Sequence, residues 1–118
     1  MKYYRNTTQV ANALFDIHLR SLTEKELKVL LIIIRQTVGW IDQHGFRKER
    51  DWISRSFFIA KTGLSGKSIS SAIDSLVLNN FIEATTIDKV QLNTTQERRG
   101  KKRIYYKCSN QLLQNLPL

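Results

Sequence analysis

Residues 61–82 read KTGLSGKSISSAIDSLVLNNFI, and the fold turns on the TGLS at their start (62–65). Gly63 takes a positive φ at little cost, and Ser65 suits a helix N-cap. After it, Ile69, Ala72, Ile73 and Leu76 fall on one apolar helical face that fades at Asn79–Asn80. Before it, RSFFIAKT (55–62) reads as a helix capped by Ser54 and buried through Phe58 and Ile59. Two helices around such a turn form either a helix-turn-helix, with its second helix in a DNA groove, or an ordinary helical hairpin. The helix-turn-helix reading buries Phe58, Thr62, Leu64, Ile69, Ala72 and Leu76, with Thr62 short enough to cap its own helix. Ile59 stands four residues before the glycine, where a small residue is usual, which predicts a more open crossing.

Working toward the N-terminus, LTEKELKVLLIIIRQTVGW (22–40) is the strongest helix signal. Thr23 and Glu26 have capping-box spacing, and Glu24 suits the positive helix end. Leu27, Leu30, Leu31, Ile34 and Val38 make one stripe. Val29, Ile32 and Ile33 widen it, so the helix is expected to be covered on more than one side and to end at Gly39. VANALFDIHL (10–19) predicts a short helix with Val10, Ala13, Leu14 and Ile17 on one face. The polar IDQHGFRKER (41–50) reads as a loop or hairpin excursion, and DWIS (51–54) as a short strand.

Working toward the C-terminus, FIEATTI (81–87) and RIYYKC (103–108) read as strands. In the second, Ile104, Tyr106 and Cys108 alternate with Tyr105 and Lys107. Between them TTQERRGKK (94–102) is a basic loop turning at Gly100, and NQLLQNLPL (110–118) is a last helical turn or a linker. The expected fold is mainly α with a small antiparallel sheet, α+β, of the winged helix-turn-helix type. A third strand comes from Trp52–Ile53. Residues 1–20 form an N-terminal segment, 21–110 the winged helix-turn-helix domain and 111–118 a tail.

The chain has 118 residues and a net charge of +9. A single domain of this length buries roughly 65% of its unfolded surface and needs no covalent staple. One cysteine, Cys108, excludes an internal disulfide; with only two histidines it excludes an ordinary structural zinc site. No metal or cofactor is expected. MKYYRNTTQV (1–10) has no apolar h-region, so no signal peptide is expected, and no apolar run is long enough to span a bilayer, so a soluble, cytoplasmic protein is expected, without a membrane partner. Residues 83–118 hold seven cations and three acids, and five of those cations sit in RRGKKR (98–103). Such a cluster attracts a polyanion, most simply nucleic acid.

On the DNA reading, the second helix of the pair presents Ser65, Gly66, Lys67, Ser68, Ser70, Ser71, Asp74 and Ser75. Its contacts are Ser65, Lys67, Ser68, Ser70, Ser71 and Ser75, while Asp74 repels phosphate unless a cation answers it. An arginine for guanine or an asparagine for adenine is missing from this face. Arg98, Arg99, Lys101, Lys102 and Arg103 on the wing then follow the backbone or enter a minor groove. No catalytic constellation is legible, so a binding protein is expected rather than an enzyme. His18 reads as structural, His44 as solvated and Cys108 as a small core residue. Trp40 and Trp52 read as core or interface anchors. Tyr3, Tyr4, Tyr105 and Tyr106 are candidates for stacking on single-stranded bases, though strand packing better accounts for the last two.

Taken together, LTEKELKVLLIIIRQTVGW, DWIS, KTGLSGKSISSAIDSL and NNFIEA resemble the N-terminal DNA-binding domain of lambdoid phage replication initiator O proteins and related phage or plasmid replication proteins. Leu22, Thr23, Leu27–Leu31, Ile34, Arg35, Thr37, Gly39, Trp40, Ile53, Ser54, Gly63–Ser65 and Leu76 carry the likeness, which covers roughly residues 10–84. The resemblance implies binding to repeated sites in double-stranded DNA at an origin, as a monomer or a DNA-assembled homodimer. It also implies a replicative helicase or its loader engaged by regions outside this chain; a chain ending at Leu118 is a fragment or a stand-alone relative. Gly66 and Lys67 stand where the family often has a basic run, and the Trp40–Trp52 connection is longer than usual. Two other readings stay open: a transcriptional repressor on the same fold, and a protein–protein module docked through the serine-rich helix.

Overall fold

A computed structural model describes residues 6–113. It shows five α-helices and a three-stranded antiparallel sheet, the mainly α, α+β class that the patterning predicts. Among the described residues, no helix is long and apolar enough to cross a membrane.

Helix α1 spans Glu24–Gln36 and opens with the full capping box: Thr23 accepts from the Glu26 N–H at 3.2 Å, and the Glu26 carboxylate accepts from the Thr23 N–H at 2.7 Å. It packs on α2, α3 and β3, so Val29, Leu30, Ile33 and Ile34 are all buried. Leu31, expected in the stripe, faces outward, because the buried arc is centred on the Leu30–Ile34 and Val29–Ile33 pairs. The helix also ends before Gly39. Thr37 leaves helical geometry and turns its hydroxyl back to the Ile33 carbonyl at 2.7 Å. Gly39 instead permits a close approach of the N-terminal segment: a Cβ there would lie 2.5 Å from Thr8 Cγ2, and its carbonyl accepts from the Gln9 N–H.

That segment differs from the simple helix expected over 10–19. A wide π turn, Leu14–His18, runs into a 3₁₀ turn, Leu19–Ser21. Ala13 and Leu14 are buried, but the wider turn carries Ile17 off their face into solvent. His18 sets its ring edge-on to Phe81, 5.1 Å between centroids, a packing role.

Residues 41–47 form the hairpin excursion. Ile41 bridges Arg47, and the Asp42 carboxylate accepts from the His44 and Phe46 N–H groups; His44 is exposed, as expected. Strand β1, Arg50–Trp52, follows directly. Helix α2, Arg55–Thr62, has the expected Ser54 cap and ends on Gly63 at φ 73°. Thr62 caps it from within, donating to the Phe58 carbonyl and accepting from the Leu64 N–H. Phe58 is fully buried against Tyr106, whereas Ile59, expected inside, is 39% exposed. Its bulk therefore need not prise the two helices apart. Helix α3, Gly66–Leu78, buries Ile69, Ala72, Ile73 and Leu76, the predicted face.

Strands β2, Ile82–Thr85, and β3, Tyr105–Cys108, pair antiparallel, and β3 also pairs with β1, giving the order β1-β3-β2. Trp52 lies opposite Tyr105, and Ala84 opposite Tyr106. Tyr106 and Cys108 point into the core, Tyr105 and Lys107 away from it. The β2–β3 connection is more than a basic loop. It folds back so that the Leu92 N–H donates to Ala84, buries Leu92, and forms the short helix α4, Thr95–Arg98, capped by Thr94. Helix α5, Asn110–Leu113, confirms the last helical turn. Leu14 and Leu112 join one core with α1–α3 and the sheet.

Candidate nucleic-acid interface

The first turn of α3 is built by Ser65, whose hydroxyl accepts from the Ser68 N–H and donates to the Ser68 hydroxyl, both at 3.1 Å. Lys67 and Ser71 lie on the exposed ridge, with Ser68 and Ser70 half-buried on either flank. Ser75 borders the same groove as Lys67, Ser68 and Ser71, but its side chain is committed to another helix. Its hydroxyl donates to Glu26 Oε2 at 2.5 Å, tying α3 to the start of α1. The Lys67–Ser68–Ser71 flank shares its shallow groove with Glu24 and Glu26, which tempers any attraction for an anion there.

The opposite flank of α3 meets the β2–β3 connection. Ser70 and residues 98–103 line one cleft of about 340 Å³, together with Trp52, Arg55 and Ile104. The serine-bearing helix and the basic run are therefore neighbours.

Within that run the five cations are not alike. Arg98, expected to contact phosphate, is only 6% exposed. Its guanidinium meets Asp74 Oδ1 at 2.5 Å and also donates to the Ser70 and Leu92 carbonyls and to the Thr95 hydroxyl. Thr95 donates in turn to Asp74 Oδ2 at 2.7 Å. Arg98 is thus a bolt between α4 and α3, and it answers the Asp74 charge. The short α4 causes this: its last residue turns inward over Leu92. Arg99, Lys101, Lys102 and Arg103 remain exposed around Gly100, which turns at φ 82°.

Three features were missed. Neither tryptophan is core: Trp40 is 57% exposed and Trp52 43%. Arg103 lies over the Trp52 ring, 4.7 Å from its centroid, and Arg50 over Tyr105 at the same distance. Strand alternation could have paired Trp52 with Tyr105, but the stacked arginines depend on the cross-strand register. Third, the Arg55 guanidinium lies against Gly66 at the start of α3; a lone arginine opening a helix carries no signal of that.

Other titratable groups have structural roles. Burial pushes the Cys108 thiol up to about 11, as suits a core residue, and the Tyr106 hydroxyl up to about 12. Lys107 donates to Glu49 at 2.9 Å on the outer face of the sheet; the bond lowers the Glu49 carboxyl and raises the Lys107 amine. Tyr3 and Tyr4 lie outside the described residues.

Compared with known proteins, the chain matches the family model described as bacteriophage replication protein O over residues 3–98. That span reaches Arg98 and stops before the exposed cations and β3. No curated protein and no solved structure matches.

Proposed function

The chain belongs to the bacteriophage replication protein O family, and on that premise we propose that it is a non-catalytic winged helix that binds duplex DNA when phage replication begins. Helix α3 enters the major groove by its first turn, offering Ser65, Lys67, Ser68, Ser70 and Ser71. The β2–β3 connection is the wing, and Arg99, Lys101, Lys102 and Arg103 neutralise phosphates of the neighbouring backbone. Affinity comes mainly from the wing, since hydroxyls discriminate bases weakly.

The observation that carries this reading is the cleft shared by α3 and residues 98–103, with the Arg98–Asp74 pair tying α4 to α3. A wing on a free loop would lose entropy when it ordered on DNA. Here the bolt holds it at a set spacing from α3 before DNA arrives, so less ordering remains to be done on binding.

Selection of duplexes from a random pool, followed by affinity measurements across salt concentrations, tests the reading. With four phosphates neutralised, log K should fall with log salt at a slope of about −4, and replacing Arg99, Lys101 and Lys102 by Ala should flatten it by roughly three. Binding that ignores salt, or no retained duplex, would sink it and favour protein docking through α3.

A further inference from the structure

The exposed ridge of α3 has a gap. It carries serines and a single lysine, with no arginine for guanine and no asparagine or glutamine for adenine, the side chains whose planar ends match two base atoms at once. We infer that Arg55, carried by α2, fills this gap by reading a guanine at the first turn of α3; the inference rests on the duplex-binding function proposed above.

Arg55 opens α2, but its guanidinium lies across the start of the next helix. A Cβ on Gly66 would sit 2.5 Å from Arg55 Nη2 and 2.8 Å from its Cζ and Nε. Only glycine leaves room for that seat. The side chain is exposed, and among the described residues its guanidinium has no hydrogen-bond acceptor and no acidic partner. Two other arginines around the cleft are engaged, Arg98 with Asp74 and Arg103 on Trp52, while Arg99 stands exposed beside Gly100. Arg55 therefore presents a planar fork of donors with nothing to bond, seated on the turn that contacts base edges in helix-turn-helix complexes. Guanine offers O6 and N7 as a matched pair of acceptors in the major groove. A phosphate contact would call for the charge but not for a fixed seat on α3.

The test compares the duplex sequences selected by the wild type with those selected by R55A, R55K and G66A. Urea midpoints confirm that each variant is folded. R55A should bind the wild-type consensus about ten- to a hundredfold more weakly, accept any base at one guanine position, and keep its salt slope. R55K keeps the charge but should weaken the guanine preference at that position, because a shorter ammonium without a planar fork fits the two acceptors less well. G66A keeps Arg55 and displaces only its flexible end, so it should relax that position too. Uniform weakening of all duplexes by R55A, with the slope reduced by about one, marks a phosphate contact and overturns the inference. An unchanged consensus overturns it as well. If the wild type binds duplex with a steep salt slope but enriches no sequence, this inference falls while duplex binding stands. If it retains no duplex, both fall.

Discussion

Arg98 and Arg99 are adjacent in sequence and opposite in role. Arg98 is enclosed by Asp74, Thr95 and two carbonyls, while Arg99 is exposed. Replacing Arg98 by Ala leaves those acceptors without their donor and should lower stability by about 2 kcal/mol, since Asp74 stays partly solvated. Urea denaturation reads this. Arg99→Ala should leave the urea midpoint in place and lower the salt slope of DNA binding by about one; equal behaviour of the two variants would refute the distinction. Glu26 supplies a second residue-scale test. Burial raises its pKa, but the hydrogen bonds from Ser75 and Thr23 outweigh that and bring it below the ordinary 4.5. A carboxyl with a lowered folded value adds stability that is whole above its unfolded value and is lost as pH falls through the folded one. Glu26→Gln should therefore cost about 1 kcal/mol at neutral pH, and wild type and variant should converge in acid. A gap that stays constant with pH would show that the charge is not what ties α1 to α3.

At the scale of elements, the caps do most of the delimiting. Thr23, Ser54 and Ser65 each accept an N–H at the head of a helix, and Gly63 closes α2 in the left-handed region. Ala at position 63 would meet no neighbouring atom, so its cost is conformational alone. Gly63→Ala should destabilise by about 1–2 kcal/mol, read as a lower Tm; an unchanged Tm would mean the turn has another available conformation. These elements were legible in the sequence because each rests on bonds made within a few residues. The buried face of α3 was legible for the same reason: one period describes it. The orientation of α1 was less so, because three elements cover it and choose which side of an almost wholly apolar helix is innermost. The β2–β3 connection was read as a loop, because its fold depends on Leu92 finding Ala84 and Arg98 finding Asp74. Distant pairings also bury Arg98 against Asp74, commit the Ser75 hydroxyl to Glu26 and set Arg55 beside Gly66, none of which spacing along the chain reveals.

Across the whole molecule the two tryptophans are natural reporters placed apart. Trp52 lines the cleft beneath Arg103, while Trp40 borders the 41–47 excursion. Duplex binding should quench the emission of Trp52 alone: Trp40→Phe should retain the quench and Trp52→Phe abolish it. Quenching that survives in Trp52→Phe would place the DNA on another face. The sheet has a further consequence, for how the chain is made. Its middle strand is the last in sequence, and the backbones of β1 and β2 are joined only through it. While the polypeptide leaves the ribosome, β1 lacks a ladder partner and β2 has only the short bridge from Gln91–Leu92 until Tyr105–Cys108 emerges. Helices α1 to α3 can associate as they appear, but the sheet closes only when synthesis has passed its final strand. A nascent chain halted within the basic run would carry its three main helices and two waiting edges.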